Sequence, residues 1–103
     1  MITKDLLIIG GFNKISLINI NEYKIIREID IPNSNNIHSF CMLNKDMFIT
    51  GDSNCIRQWK IIGDNIDLMY TKEKTHDDKI FGLINLGEGI IASCSMDKSI
   101  KIW

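Results

Sequence analysis

The sequence predicts an all-β fold assembled from repeated four-stranded antiparallel units, and three observations predict it. Apolar and β-branched runs of roughly five to eight residues alternate with short clusters of Gly, Asn, Asp and Ser along the whole chain, which is a strand-and-turn rhythm. No segment sustains apolar residues at i, i+3, i+4 and i+7, the stripe that an amphipathic helix requires. Three segments also lie over one another: LLIIGGFNKISLI (6–18), FITGDSNCIRQW (48–59) and IASCSMDKSIKIW (91–103).

Taken in order, the runs predict about ten strands. The first, 6–10, ends at Gly10-Gly11-Phe12-Asn13, and the second, 14–20, ends at Asn21-Glu22. The third, 23–30, meets the polar stretch Pro32 to Asn36, and the fourth, 36–43, meets Asn44-Lys45-Asp46. Then come 47–51, closed by Gly51 to Asn54, and 55–62, closed by Gly63-Asp64-Asn65. The run 66–73 leads to Thr75 to Asp78, and 79–86 to Gly87-Glu88-Gly89. The last two, 90–95 and 99–103, flank Met96-Asp97-Lys98. Connections this short join neighbours as hairpins, so the strands form antiparallel meanders rather than crossovers through helices. With 22 Ile and no Val in 103 residues, isoleucine fills the β-branched strand positions almost alone.

Within the repeat, Ile15, Ile56 and Ile100 correspond, as do Ile18, Trp59 and Trp103, at separations of 41 and 44. Ile37, Phe40 and Leu43 match Ile80, Leu83 and Leu86, each pair 43 apart. Four strands therefore recur in about 43 residues, and the chain opens midway through one unit before running through two whole ones.

Composition removes several classes of function. A formal charge of −1 gives no broad field to gather nucleic acid or an anionic membrane. Lysines 72, 74, 79, 98 and 101 are interleaved with Glu73, Asp77, Asp78 and Asp97, so no basic patch forms. No run approaches the roughly 20 apolar residues of a membrane helix. The apolar start Leu6-Leu7-Ile8-Ile9 is too short for a signal peptide and lacks its cleavage site. Cys41, Cys55 and Cys94 fit neither a disulfide framework nor a metal pair and are expected as reduced, half-buried thiols. A soluble cytoplasmic protein is expected, with the nucleus left open. Neither Gly10-Gly11 nor Gly87-Glu88-Gly89 has the strand-to-helix context of a phosphate loop. Asp77-Asp78 beside His76 reads as a solvated loop flanked by Lys74 and Lys79, so no metal or cofactor is expected.

The period and its residues resemble the WD-repeat β-propeller family, whose units of about 40–45 residues hold four strands. The last unit carries the resemblance most fully. Thr75-His76 stands where the family has Gly-His, followed by Ile80, Leu83 and Leu86, then Ser93-Cys94-Ser95-Met96-Asp97-Lys98-Ser99-Ile100-Lys101-Ile102-Trp103. The middle unit departs from it: Asn33 replaces the His, the turn Gly51-Asp52-Ser53-Asn54 is one residue shorter, and Lys60 rather than Asp follows Trp59. In the opening half-unit Ile18 replaces the Trp.

The resemblance implies a partial β-propeller of consecutive four-stranded antiparallel blades. It divides into a half blade at 1–20 with strands b and c, a degenerate blade at 23–62 and a better one at 66–103. Since closed propellers have four to eight blades, the chain is expected to be a piece of a longer propeller. The missing blades would come from a longer chain or, less simply, from self-association.

His76, Ser93 and Asp97 offer the three residue types of a hydrolase triad. The resemblance implies instead a structural network of His76, Ser93, Asp97 and the Trp103 indole, with Ser95 as an alternative to Ser93. The departures at Asn33 and at the short turn predict a looser middle blade. The resemblance also places Asn36, His38, Lys79, Phe81 and Met96 at the narrow opening where propellers receive peptides. There an aromatic anchor buries much area at low entropy cost; the competing reading is that Phe81 packs between blades and His38 is a satisfied histidine. The function implied is a non-catalytic scaffold for a protein or peptide partner. Its alternatives are a portion of an enzymatic or ligand-binding propeller, and a fragment with no independent function.

Overall fold

In the computed structural model, residues 2–3, 6–10, 14–31 and 36–103 are described, with side chains from Gly10 onward. Every regular element among them is a β-strand. The strands are β1 (Ile2–Thr3), β2 (Leu6–Gly10), β3 (Lys14–Asn19), β4 (Lys24–Asp30), β5 (Ser39–Met42), β6 (Met47–Gly51), β7 (Ile56–Ile62), β8 (Asn65–Lys72), β9 (Ile80–Gly87), β10 (Ile90–Ser95) and β11 (Ile100–Ile102). They form three antiparallel sheets in the orders β1-β2-β3-β4, β5-β6-β7-β8 and β11-β10-β9.

Two of these findings correct the sequence reading. A strand of two residues is too short for periodicity to reveal, so β1 escaped it. More consequentially, the hydrogen-bonded sheets are offset by one strand from the repeats. The strand at 24–30 pairs with β3 and the strand at 65–72 pairs with β7, so the units at 23–62 and 66–103 each straddle two sheets, and the opening segment belongs to a sheet of four strands. The cause is local: Gly63 at φ +59 and Asp64 close a two-residue hairpin that returns β8 directly onto β7.

The repeat is nevertheless visible in the register. Leu7 lies opposite Ile18 as Phe48 lies opposite Trp59, and Gly10 opposite Ile15 as Gly51 opposite Ile56 and Cys94 opposite Ile100. The register also shifts at the same place in two sheets, between Leu17 and Ile18 and between Gln58 and Trp59.

The sheets stack face to face in chain order, and the first and third share no element contact among the described residues. One core cluster lies between the first and second sheets, where Ile15, Leu17 and Ile31 meet Phe48, Trp59 and Ile66. There the Phe48 and Trp59 rings stack, with centroids 6.4 Å apart and planes 13° apart. A second cluster joins Ile49 and Ile56 to Ile80 and Leu83 of the third sheet. The second sheet is thus covered on both faces, and from Phe48 to Gly51 every residue of β6 is buried instead of alternating. Within the unit 23–62 burial is uneven: the strands of the second sheet are well enclosed, whereas the strand at 24–30 is mostly exposed.

Glycine lets the sheets approach at one end. A Cβ on Gly51 would lie 2.6 Å from Ser39 Oγ and 2.8 Å from Ile80 Cγ2, and one on Gly10 would lie 2.3 Å from Phe40 Cζ. Gly51→Ala therefore forces the second and third sheets apart and is expected to cost about 1–3 kcal/mol, read as a lower urea midpoint with an unchanged slope.

Candidate functional site

The turn between β10 and β11 and the connector before β9 bring the four predicted network residues together. His76 Nε2 lies 2.7 Å from Ser93 Oγ, and His76 Nδ1 lies 3.0 Å from Asp97 Oδ2. The Trp103 indole N–H donates to Ser93 Oγ at 2.8 Å. A single tautomer satisfies this set: with the proton on Nδ1 directed at Asp97, Nε2 accepts from the Ser93 hydroxyl, whose oxygen accepts from Trp103. The Ser99 hydroxyl, which sequence reasoning missed, donates to Asp97 Oδ1 at 2.5 Å and lies 3.0 Å from His76 Nδ1. Ser95 does not substitute for Ser93; its hydroxyl donates to the Asp78 carbonyl and accepts from the Asp97 N–H.

These contacts fix the charge of Asp97. The Ser99 hydroxyl above all, helped by the N–H groups of Asp77 and Ser99 and by His76, outweighs the cost of partial burial and holds its carboxyl well below the usual carboxylate range. The spacing of Ser93, His76 and Asp97 is that of nucleophile, base and carboxylate. Ser93, however, is only 1% exposed, and Trp103 occupies its oxygen.

The second sheet repeats half of this arrangement with different chemistry. Trp59 Nε1 donates to Thr50 Oγ1 at 3.0 Å, as Trp103 does to Ser93. Asp52 takes the place of the turn carboxylate: Oδ1 accepts from the Asn54 and Cys55 N–H groups, at 3.1 and 2.9 Å. Its Oδ2 accepts from Arg57 Nη1, and both side chains are 4% exposed. A cation from strand β7 thus stands where the third sheet uses an imidazole from the connector. Arg57 carried no sequence signal, because the position it shares with Lys101 reads as an ordinary exposed strand residue. Asn33, the residue expected in place of the histidine, lies outside the described residues.

The connector is bolted to both sheets. Thr75 N and Oγ1 donate to the Asn54 carbonyl at 2.9 and 2.8 Å, and Lys101 Nζ donates to the Thr75 carbonyl at 2.6 Å. Ile80 N donates to the Asp52 carbonyl at 2.8 Å, and Asp77 N to Asp97 Oδ2 at 3.0 Å.

The predicted partner-binding residues fall at the same end of the sheets. The His38 and Phe81 rings meet edge to face, 6.4 Å between centroids and 71° between planes. Met96 N donates to the Lys79 carbonyl at 2.9 Å, and His38 N to the Gly51 carbonyl at 2.9 Å. Phe81 and Met96 are 53% and 49% exposed, Lys79 and Asn36 are exposed, and His38 is half-buried. No contact of the Asn36 side chain joins it to the other four. Among the described residues, no three His, Cys, Asp or Glu side chains converge as metal ligands would. Of the thiols, Cys41 is half-buried and Cys55 buried, with burial pushing both up, whereas Cys94 is exposed, contrary to expectation. No protein-family model and no curated protein matches the chain.

Two outcomes are expected. Because folding lowers the Asp97 carboxyl below its ordinary 3.8, the unfolded chain takes up that proton first. The stabilisation is complete above the ordinary value and is lost as pH falls toward the folded one. Urea midpoints should therefore fall more steeply with acid in the parent protein than in Asp97→Asn. Arg57→Met leaves Asp52 buried without its cation and should cost about 3–5 kcal/mol, whereas adding Asp52→Asn to it recovers part of that loss in the same titration.

Proposed function

We propose that the chain is a run of blades of a WD-repeat-type propeller and works as a non-catalytic, intracellular protein-interaction scaffold. Its binding surface is the end that carries His38, Lys79, Phe81 and Met96, and it takes an extended peptide with an apolar anchor. The observation that carries this reading is the half-exposed Phe81 ring held edge-on by His38, beside the equally exposed Met96. The third sheet presents both the aromatic and the thioether, and His38 at the edge of the second sheet braces the ring, so they offer area at little ordering cost. Lys79 adds a charge that selects for an acidic residue next to the anchor.

What favours a scaffold over a hydrolase is the enclosure of Ser93. A nucleophile must reach a carbonyl carbon, and a hydroxyl sealed by an indole has no such path. The repeat register, the recurring indole-to-hydroxyl bond and the turn carboxylates support the blade reading. In this view the His76 network organises the connector that presents Lys79 and Phe81.

The test is selection of peptides on the purified chain from a displayed random library, followed by titration against variants. Phe81→Ala should weaken the selected peptides at least about tenfold while leaving the thermal midpoint nearly unchanged, since the ring is half in solvent. Equal loss of stability and binding would assign Phe81 to packing. Peptides indifferent to both Phe81→Ala and Met96→Ala would refute this surface.

A further inference from the structure

The third sheet turns an apolar face to solvent. Cys94 lies between Gly82 and Ile100 at one end, and Ala92 lies between Ile84 and Ile102 in the middle. Ile84, Ile100 and Ile102 are 60%, 76% and 62% exposed. A shallow concavity over Gly82, Ile84, Ala92, Cys94 and Ile100 contains no charged side chain. A contiguous apolar patch of this kind marks an association surface.

The repeat identifies which surface it is. Ile84, Ala92 and Ile100 hold the positions that Cys41, Ile49 and Ile56 hold in the second sheet, where all three belong to the core against the third. One sheet earlier, Ile15 and Leu17, the counterparts of Ile100 and Ile102, cover the second sheet. This face is therefore the one that, twice within the chain, receives the next sheet.

The complementary face belongs to the first sheet. In the second sheet the cross-strand row Phe48, Trp59 and Leu68 carries the ring pair that packs on the first, Phe48 and Trp59, with Leu68 at its exposed margin. The same register positions in the first sheet are Leu7, Ile18 and Ile25. Because Ile15 and Leu17 point into the core, strand alternation puts Ile18 on the opposite face, and its partner Ile25 is 58% exposed. This face has no neighbour among the described elements.

We propose that these two faces bind each other between copies: the first sheet of a second molecule stacks on the apolar face of the third, head to tail, extending the packing already present inside one chain. The fit at the close-approach end is preserved by an exchange. Ser39 lies opposite Gly51, while Gly82 lies opposite Cys94, so each pair keeps one glycine over which its partner's side chain leans. A Cβ on Gly82 would lie 2.7 Å from Cys94 Sγ. Such a contact uses different patches on the two molecules, so it grows into a ring or a filament according to the rotation between sheets. It uses neither Phe81 nor Met96 and stands independently of the peptide surface.

The test is the solution mass of the 103-residue chain by light scattering in reducing buffer, at concentrations up to about 100 μM, above the micromolar range in which modest interfaces associate. The parent should exceed one chain, and Ile18→Glu and Ile102→Glu should each be monomeric with unchanged β circular dichroism. Mixed in equal amounts, the two variants should form a two-chain complex, because each retains the face the other has lost. If Ile18→Glu loses its cooperative melt, Ile25→Glu takes its place. A monomeric parent, an assembly that survives either substitution, or a mixture that stays monomeric overturns the proposal.

Discussion

The molecule is organised around one constraint: its second sheet is apolar on both faces and has to be covered on both. Phe48 and Ile49 are consecutive residues of one strand, point in opposite directions and are both buried. Water on either side of this sheet would expose one of them at a cost of about 1.5–3 kcal/mol for a single large side chain. The first and third sheets therefore serve, before anything else, as its two covers. The glycines at 10 and 51, the pairing of each unit's first strand with the sheet before it and the stacked Phe48 and Trp59 rings are the details that allow three sheets to lie close enough for this.

Polar groups inside such a stack need partners, and the chain solves the same need twice with different residues. Each of the two later sheets carries a tryptophan, within its third strand or just after it, whose N–H finds a hydroxyl on the neighbouring strand, Thr50 or Ser93. Each also closes its turn on a carboxylate, Asp52 or Asp97. The charge is met by a guanidinium from within the sheet in one case and by an imidazole from the connector in the other. The second solution does more, because His76 ties the connector to the turn while satisfying Ser93 at the same time.

Much of this was legible in the residues. The strand rhythm and the correspondence of Ile15 with Ile56 and Ile100 depend on local pattern and on spacing, which a sequence displays, whereas the set His76, Ser93, Asp97 and Trp103 came from the resemblance to WD repeats. The hairpins at 21–22 and 63–65 that stagger the sheets against the repeat were legible in their short turns, but a repeat has no marked start, so the bounds 23–62 and 66–103 did not follow the sheets. The Asp52–Arg57 pair was hidden because burial of a charge depends on what lies above the sheet, and no periodicity encodes that. Ser99 was passed over as a turn residue, although its hydroxyl is the main reason that Asp97 holds its charge. Position in the stack was equally hidden: the second sheet gains cover from both sides, which missing motif residues in the middle unit do not reveal.

The connector between β8 and β9 has a mechanical meaning. Bonds from Asn54, Lys101 and Asp97 converge on Thr75 and Asp77 of this connector and one from Asp52 on Ile80 at the start of β9, so the segment is gripped from both sides at once. A tether joined only at its ends would let two sheets slide past each other like cards. One clamped along its length transmits shear instead of absorbing it, and several hydrogen bonds must break together before either sheet can move. His38 on one side of the clamped seam and Phe81 on the other thus face each other across the join that the connector closes.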